Sequence, residues 1–477
     1  MGRRTVDRGG WGCGRDNRTL VCIGLPLVAT QFAWSIQTAF ATTLFKQLGA
    51  SQRDLGFLRI PGPVTGLFVQ PLSGLWTDWS GYRYRPATVL AATLLCGLGF
   101  VLLPLGEGRE SIWTVFVGCC FLDVGFNVAD ALVRVLVADV TERDRLPLGN
   151  SIVSSALGAG QLGGFVASAV GGDLARFLKV TLGLSLSTLS FACVLGLILL
   201  VSCDLVFLWT CTSPGFLSQR EAQRSRLREE PRKKEAEAEG AAEDTEALLI
   251  QTGRGSSAKG SHGDHGPHGP ASWPALLRCL PPWMAKLCVL NALTWLGWFC
   301  FIFFAPDFIG ISVLGGDPHA PKGSEPYHKY REAQTIFSYT SAISSCIMVT
   351  FSWAIPFLVE KFGMRHMLSF SSFLLGLILV LTPFLAKGSV APCVVLFSLL
   401  GFPWSMTMSL PYAVVSALSG ERERGKWMGV LNVFVVLPSF CILGMVGVTG
   451  MGSQWVLLVG AATAVVAAAG FFLVPIK

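Results

Sequence analysis

The sequence has little charge. Aspartate, glutamate, lysine and arginine make up 14% of its 477 residues, whereas hydrophobic residues make up 52%. Soluble globular proteins carry about 25% charged residues, so this composition argues against a soluble domain and indicates a polytopic membrane protein in a lipid bilayer. The formal charge of +7 comes from the loops and the N-terminal tail. We interpret it as a signal for membrane orientation, and we expect no nucleic-acid partner.

Motifs of enzymes and metal sites are also missing from the sequence. The chain has no nucleophile elbow, no phosphate-binding loop and no cluster of metal ligands. This argues against an enzyme, and we expect neither a bound metal nor an organic cofactor. The fourteen cysteines form no CxxC pair and lie mostly in apolar segments, which predicts small buried residues. The basic, glycine-rich N-terminal tail has no signal-peptide core.

Long apolar segments recur along the chain. A bilayer-spanning helix needs about 20 apolar residues, and on this basis the sequence predicts twelve spans. They lie near residues 20–46, 55–77, 87–105, 112–140, 149–170, 182–211, 284–306, 333–357, 366–386, 391–417, 427–449 and 454–475. Arginines cluster before the first span, at Arg3, Arg4, Arg8, Arg15 and Arg18. They predict a cytoplasmic N-terminus, and an even number of spans returns the C-terminus to the same side.

A polar segment divides the spans into two groups of six. Residues 213–276 are first highly charged and then low in complexity, which predicts a disordered cytoplasmic linker. The predicted units are therefore a cytoplasmic tail at 1–18, a six-helix half at 19–212, this linker, and a second six-helix half at 277–477.

The two halves repeat weakly. Gly81 and Gly363 are 282 residues apart, and so are Asn150 and Asn432, each at the beginning of the fifth span of its half. Six plus six helices in parallel halves is the organisation of major-facilitator transporters, whose substrate site lies between the halves near mid-membrane. We therefore predict an all-α polytopic membrane protein with the major facilitator fold.

The fourth predicted span carries a row of polar residues. Asp123, Asn127, Asp130 and Arg134 are spaced i, i+4, i+7 and i+11, so they share one face of a helix. A charge that faces lipid at mid-bilayer costs at least ~3 kcal/mol, so this face needs a wet or protein-lined partner surface. The row predicts a helix that lines a pathway through the membrane.

Spacing separates the roles of these residues. Asp130 precedes Arg134 by one turn, the favourable order for a local ion pair. Asp123 lies about 16 Å along the axis from Arg134 and has no basic neighbour within one turn. A desolvated carboxyl group without a partner keeps its proton more readily, which is what a proton-coupling site needs. The alternative is that Asp123 bonds to another helix and only holds the bundle together.

Two further spans carry candidate substrate residues. In the first span, Gln31, Trp34 and Gln37 place amides and an aromatic ring on adjacent turns, which suits the hydroxyls and C–H faces of a sugar. The alternative for Trp34 is interfacial packing. Asp307 ends the seventh predicted span, where it is expected either to line the outer mouth or to cap the helix end.

The loop between the second and third spans contains Asp78, Gly81, Arg83 and Arg85. The acid can accept hydrogen bonds from a neighbouring helix N-terminus, while the arginines hold carboxylates on the cytoplasmic face. Such contacts would latch one conformation, and a similar turn recurs at residues 360–365 of the second half. The alternative is an ordinary positively charged cytoplasmic loop.

Longer stretches resemble known transporters. Resemblance to the plant sucrose transporters is carried by Gln31–Leu44 (QFAWSIQTAFATTL), Gly62–Asp78, Asp123–Asp139 and Gly429–Ser439. Phe303–Gly310 (FFAPDFIG) and the following Gly315–Tyr330 are more similar to the animal proton-associated sugar transporters. Both groups belong to the glycoside–pentoside–hexuronide branch of the major-facilitator superfamily, and the likeness covers nearly all twelve spans.

The resemblance implies a proton-coupled symporter for a sucrose-like disaccharide or a hexose, with protons as the coupling ion. The family's proton-site aspartate corresponds to Asp123, its essential coupling arginine to Arg134, and its acid at the end of helix seven to Asp307. The chain departs from the plant motif around Asp307, where Ala305 replaces an acid and Ile311 and Ser312 replace an Arg-Glu pair, and at Gln52, which replaces an outer-loop histidine. Asp130 stands where the plant proteins usually have glutamine. These departures bear on the identity of the sugar more than on proton coupling.

Alternatives to this function remain open at the sequence level. Within transport, they are an uncoupled sugar facilitator and a carrier of another polar solute. From another class, the alternative is a membrane sugar sensor whose long linker binds partners. We expect the chain to act as a monomer in the plasma membrane, with the vacuolar or endolysosomal membrane as the alternative location.

Overall fold

The computed structural model describes residues 15–69, 72–73, 76, 84–140, 146–218, 221, 280–385, 387–418 and 424–474. Throughout these ranges the regular structure is helical, with no β-strand. Almost all of the predicted linker at 213–276 and most of the predicted latch loop lie outside the described residues.

The first half is built from helices that follow the predicted spans except in the second span. They are α1 (Arg15–Gln47), α2 (Gln52–Leu58), α3 (Pro61–Val64), a π-helix (Thr65–Val69), α4 (Arg85–Gly108), α5 (Ile112–Val140), α6 (Leu146–Leu182) and α7 (Thr188–Thr212). The second half repeats this pattern of long helices. Its elements are α8 (Pro282–Phe308) with a π-helical extension (Ile309–Val313), α9 (Glu325–Ser352), α10 (Ile355–Phe362), α11 (Met364–Leu381), α12 (Val390–Ser398), α13 (Gly401–Leu418), α14 (Arg424–Thr449) and α15 (Ser453–Gly470).

Within the described ranges, 11 helical segments are long and apolar enough to cross a membrane, and they correspond to eleven of the twelve predicted spans. The remaining one, the predicted second span near 55–77, is the one that the structure breaks. The predicted fold class, an all-α polytopic membrane protein with two six-helix halves, is thereby confirmed.

The second span is not the continuous helix that its hydrophobicity predicts. Helix α2 ends at Leu58, α3 begins at Pro61, and the chain then widens into the π-helix at Thr65–Val69. Pro61 and Pro63 have no backbone N–H and therefore interrupt the regular i→i−4 ladder. The break brings the backbone of this span close to α5, because a Cβ placed on Gly62 would lie 3.4 Å from Oδ1 of Asp123.

The two halves meet along a seam formed by equivalent helices. Helix α6, the fifth span, packs against α9, the eighth, and α2 in the second span packs against α14 in the eleventh. Helix α1 also contacts α8 and α9. The second and fifth spans of each half thus pair with the fifth and second spans of the other, which is what a pseudo-twofold repeat predicts.

The seam is tightly closed at one end of the bundle. We call it the distal end, where α1 finishes at Gln47 and α2 starts at Gln52. There, a Cβ on Gly56 of α2 would lie 2.4 Å from the backbone nitrogen of Gly447 on α14. Since real Cβ atoms never approach so closely, glycine at position 56 allows the two backbones to touch. The opposite end of the bundle is called the proximal end.

Candidate functional site

An aromatic cavity lies in the seam between the two halves. Helices α1 and α6 of the first half contribute Trp34, Thr38, Gln161 and Phe165 to its wall. The second half contributes the larger share of the lining: Trp298, Phe301, Ile302, Phe337, Ser341, Ser344, Ser345, Phe397, Leu400 and Trp404. Rings and hydroxyl or amide groups alternate around the same space, which is the composition of a site for a polar solute with apolar faces.

The rings of the cavity contact one another edge to face, and one of these contacts crosses the seam. Phe165 on α6 stands 6.1 Å from Phe337 on α9, at an interplanar angle of 84°. Trp34 packs against Phe165 with centroids 6.4 Å apart, and Trp298 packs against Trp404 at 4.7 Å. The indole nitrogen of Trp298 donates to Oγ1 of Thr407 at 3.2 Å. Trp34 therefore belongs to the wall of the cavity, where it packs against Phe165.

One amide of the first half, Gln161, lines the cavity, and a second, Gln31, is bonded to it. Nε2 of Gln161 donates a hydrogen bond of 3.3 Å to Oε1 of Gln31, and both side chains are buried. In this conformation the cavity has a volume of about 50 Å³ that water can occupy. One water molecule needs about 10–15 Å³ of such volume, so the cavity has room for a few waters. A sugar would require the aromatic walls to move apart.

Asp123 lies beside the cavity, not on its wall. Its side chain is only 8% exposed and faces α1 and α3, inside the protein. Nε2 of Gln37 on α1 donates a hydrogen bond of 3.1 Å to Oδ1 of Asp123. Gln37 immediately precedes the cavity residue Thr38, so one helix contacts both the cavity and the buried acid.

A buried arginine accompanies this acid. Arg59, at the break between α2 and α3, is 8% exposed and interacts electrostatically with Asp123. Its guanidinium lies over the ring of Phe303 on α8, 4.9 Å from the centroid, and so bridges the seam. Its Nη1 atom has no hydrogen-bond partner among the described residues. A cationic group in this position can stabilise a negative charge on Asp123 without being held in a fixed contact with it.

The rest of the predicted polar row follows α5 toward the proximal end. Nδ2 of Asn127 donates to Oγ1 of Thr65 at 2.9 Å, which ties α5 to the π-helix of the second span. Nε of Arg134 donates to Oδ2 of Asp130 at 3.0 Å, the local pair that the spacing predicts. None of these side chains lines the aromatic cavity in this conformation, and the prediction that the whole face lines the pathway stays a prediction. The cross-helix bonds to Gln37 and Thr65 occupy the inward part of the face.

The proximal end of the row meets the second half. Arg134 and Asp130 interact electrostatically with Tyr412 on α13. The Tyr412 hydroxyl in turn donates to Oδ1 of Asn432 on α14 at 3.5 Å. Asn432 is thereby linked through Tyr412 to the first half. This pairing was not readable from the sequence, which offered Asn432 only as a repeat of Asn150.

Asp307 occupies the distal end of the seam. Asp307 lies in the last turn of α8, which continues as a π-helix to Val313, and its side chain is 1% exposed. It therefore caps no helix end in this conformation, and its predicted place at the outer mouth stays a prediction. Its Oδ1 lies 2.9 Å from Nζ of Lys46 on α1 and accepts a 2.9 Å hydrogen bond from Tyr330 on α9. Burial is tolerated here because the lysine and the tyrosine answer the negative charge.

The predicted residues thus lie at four places rather than one. Trp34 lines the cavity with Gln31 beside it, the buried-acid group contains Gln37, Asp123 and Asn127, the proximal group contains Asp130, Arg134 and Asn432, and Asp307 lies apart at the distal end. The side chain of Asn150 and the loop residues Asp78, Gly81 and Arg83 lie outside the described residues, while Arg85 opens α4. In the described part of the chain, no three histidine, cysteine or acidic residues gather as a metal site would require.

Several residues of these groups were missed in the sequence. They are Lys46, Arg59, Gln161, Phe165, Trp298 and Trp404. A usable signal existed for three of them: Lys46 and Arg59 are charges within or beside apolar segments, and Gln161 is the one amide in the glycine-rich run GAGQLGG. The aromatic residues gave no such signal, because rings at helical spacing are common in any apolar core.

Comparison with known proteins reveals relatives by sequence. The chain is 25% identical over 483 residues to the sucrose transport protein SUC3 of Arabidopsis thaliana, which covers 89% of this chain and 81% of that protein. It is 27% identical over 455 residues to the sucrose transport protein SUT2 of Oryza sativa subsp. indica, covering 86% and 83% of the two chains.

Solved structures with the same fold are also found. The inward-open xylose transporter XylE from E. coli matches with a TM-score of 0.58 and 15% identity, covering 97% of this chain and 96% of that one. The nucleoside transporter NupG matches with a TM-score of 0.59 and 15% identity, covering 97% and 99%. The family model described as Major Facilitator Superfamily matches residues 25–440, which span both halves and the seam between them. With its paired halves, its seam cavity and this match, the chain belongs to the Major Facilitator Superfamily, whose members transport solutes and are not enzymes.

Proposed function

We propose that this chain is a proton-coupled sugar symporter that works by alternating access. The sugar, a sucrose-like disaccharide or a hexose, binds in the aromatic cavity, and Asp123 carries the coupling proton. The sucrose transport proteins among its relatives support the sugar class. The composition of the cavity supports it independently, because rings can stack on the C–H faces of a sugar while amides and serines meet its hydroxyls.

The observation that carries the proposal is the double contact made by α1. Trp34 and Thr38 of this helix line the cavity, while Gln37 donates to Asp123. A sugar that spreads the cavity walls displaces α1 and with it the amide that holds Asp123. Occupancy of the cavity and protonation of the acid are thereby linked through one rigid element.

The proposed cycle uses the two ends of the seam in turn. With the distal end open, Asp123 takes up a proton and the sugar enters between the halves. Rocking then closes the distal end and opens the proximal end. We assign the stabilisation of one of these two states, and its release, to Asp130, Arg134 and the loop residues Asp78, Gly81, Arg83 and Arg85. A membrane potential supplies about 2.3 kcal/mol per charge per 100 mV, and one pH unit about 1.4 kcal/mol, enough for tenfold or greater accumulation.

The proposal also includes an orientation. Both termini lie in the cytoplasm and the distal end faces outward, in the plasma membrane or in a vacuolar or endolysosomal membrane. The transporter acts as a monomer, and Asn150 and Asn432 hold equivalent positions in its two halves.

Reconstituted protein tests the function directly. Uptake and counterflow of labelled sucrose, glucose, galactose and maltose are measured in liposomes at two pH values, together with proton influx on addition of sugar. Symport predicts a saturable sugar flux accompanied by proton entry. Sugar flux without proton entry would identify a facilitator, whereas saturable sugar binding without any flux would identify a sensor.

A further inference from the structure

A buried ion pair joins the two halves near the distal end of the seam. Nζ of Lys46, in the last turn of α1, lies 2.9 Å from Oδ1 of Asp307 on α8. The two side chains are 7% and 1% exposed. Lys46 belongs to the first half and Asp307 to the second. The contact therefore breaks whenever the halves separate at this end.

The surroundings of the pair are also closed. Tyr330 donates its hydroxyl to Oδ1 of Asp307, while Oδ2 has no partner among the described residues. One turn before Lys46, Oγ1 of Thr42 donates to the backbone oxygen of Phe303 at 2.9 Å, again across the seam. Lys46 and Asp307 thus lie within a sealed contact between the halves, away from water.

A buried pair differs from an apolar contact in its response to opening. Desolvation of two charges offsets much of their attraction, so the pair stabilises the closed state only modestly compared with apolar residues of similar size. When the halves separate, water reaches both charges and their hydration is regained. The closed and open states therefore remain similar in free energy. Removal of one partner leaves an uncompensated charge in the closed state only, which favours opening.

We propose that Lys46 and Asp307 form a reversible lock of the distal gate. Their attraction closes the seam, and their hydration allows it to reopen. This proposal rests on the alternating-access part of the proposed function and on neither the sugar nor the proton. It assigns Lys46 a role as a positioning residue in the conformational cycle.

The same end of the bundle provides a matched comparison. Lys322 and Glu110 also form an ion pair between the second and the first half, but their side chains are 60% and 65% exposed. Exposed pairs contribute little, because water and salt screen them in both states. Neutralising this exposed pair is therefore the control, because it removes an ion pair between the two halves that is not buried.

Distance measurements between spin labels test the lock. Labels are attached at Arg109→Cys and His319→Cys, exposed positions at the distal end on opposite halves, after replacement of the native cysteines that react with the label.

Lys46→Met alone should raise the ratio of long to short distances by about tenfold, because Asp307 is left buried without its cation. The double variant Lys46→Met/Asp307→Leu should show short distances only and lose transport. Its apolar residues close the gate, and they gain no hydration when the gate opens. The exchange Lys46→Asp/Asp307→Lys should restore the wild-type distribution, and Lys322→Gln/Glu110→Gln should leave it unchanged.

Other distributions would overturn the lock. Wild-type distances in both Lys46→Met and the double apolar variant would show that the pair has no influence on the gate. An equal shift in the Lys322→Gln/Glu110→Gln variant would show that burial is irrelevant. If Lys46→Met does not fold, the double apolar and exchanged variants, which bury no net charge, still decide the question. Because the distances need no substrate, failure of sugar transport would leave this result intact.

Discussion

Gln37 holds Asp123 by a single 3.1 Å hydrogen bond, and this bond joins the helix that borders the cavity to the helix that carries the buried acid. The bond links two spans, the first and the fourth, that are separated by 86 residues in the chain. Either protonation state of the carboxyl group can accept it. The contact therefore positions Asp123 without fixing its charge, as a residue that binds and releases a proton requires.

Asp123→Asn should abolish proton-driven accumulation while preserving the fold. The asparagine oxygen can still accept the hydrogen bond from Gln37, so the packing of α1 on α5 is retained, but the amide binds no proton. In liposomes we expect counterflow of sugar to persist, with loss of uptake driven by a pH gradient.

Asp204→Asn is the matched control for this variant. Asp204 is another partly buried acid of the first half, which accepts a 2.7 Å hydrogen bond from Thr93 and lies away from the cavity. The Asp204→Asn variant should accumulate sugar as the wild type does. Normal pH-driven accumulation by Asp123→Asn would remove the proton role from that residue.

Trp34→Ala should weaken sugar binding. Its ring lines the cavity and packs on Phe165, so truncation removes a stacking surface and loosens the wall at the same time. Loss of about 1.4 kcal/mol of binding corresponds to a tenfold increase in KM for uptake. Trp113→Ala, at a tryptophan that is 69% exposed, should leave KM unchanged. Equal KM values for the two variants would argue against sugar binding at the aromatic cavity.

Arg59→Met should separate stability from transport. A buried guanidinium carries a desolvation cost of several kcal/mol, which an apolar side chain of similar length avoids. We expect thermal unfolding of the purified variant at or above the wild-type temperature, with uptake reduced about tenfold because Asp123 loses its nearby positive charge. Arg53→Met changes an exposed arginine six residues earlier and should affect neither measurement. A variant at position 59 that transports normally would show that this charge has no part in coupling.

Gly56→Ala should hinder closure of the distal end. The added methyl group would meet the backbone of Gly447, which has no flexible side chain to yield. Overpacking of this kind costs about 1–3 kcal/mol, and here the cost falls on the closed state only. The same pair of spin labels should report longer distances. Gly444→Ala, on the facing helix, has no atom within 4 Å of its new Cβ and should leave the distances unchanged.

Much of the architecture was predictable from local pattern. Apolar segments of spanning length predicted the membrane helices, while the polar interruption after residue 212 and the repeated glycines and asparagines predicted the two halves. The i, i+4 spacing of Asp130 and Arg134 gave their ion pair correctly, because one turn of helix fixes that distance. The second span was mispredicted as continuous, since hydropathy does not register the missing N–H groups of Pro61 and Pro63.

By itself, the sequence determined which segments are membrane helices, how they divide into halves, and that Asp123 faces protein or water instead of lipid. Tertiary structure alone decided that Gln37 donates a hydrogen bond to this acid, that Arg59 interacts with it electrostatically, and that Lys46 neutralises Asp307. The physical reason is that helical periodicity is set by hydrogen bonds within a few residues, whereas these contacts join helices that are distant in the chain. Their choice depends on how the two halves pack along the seam, and a transporter must change that packing in order to work.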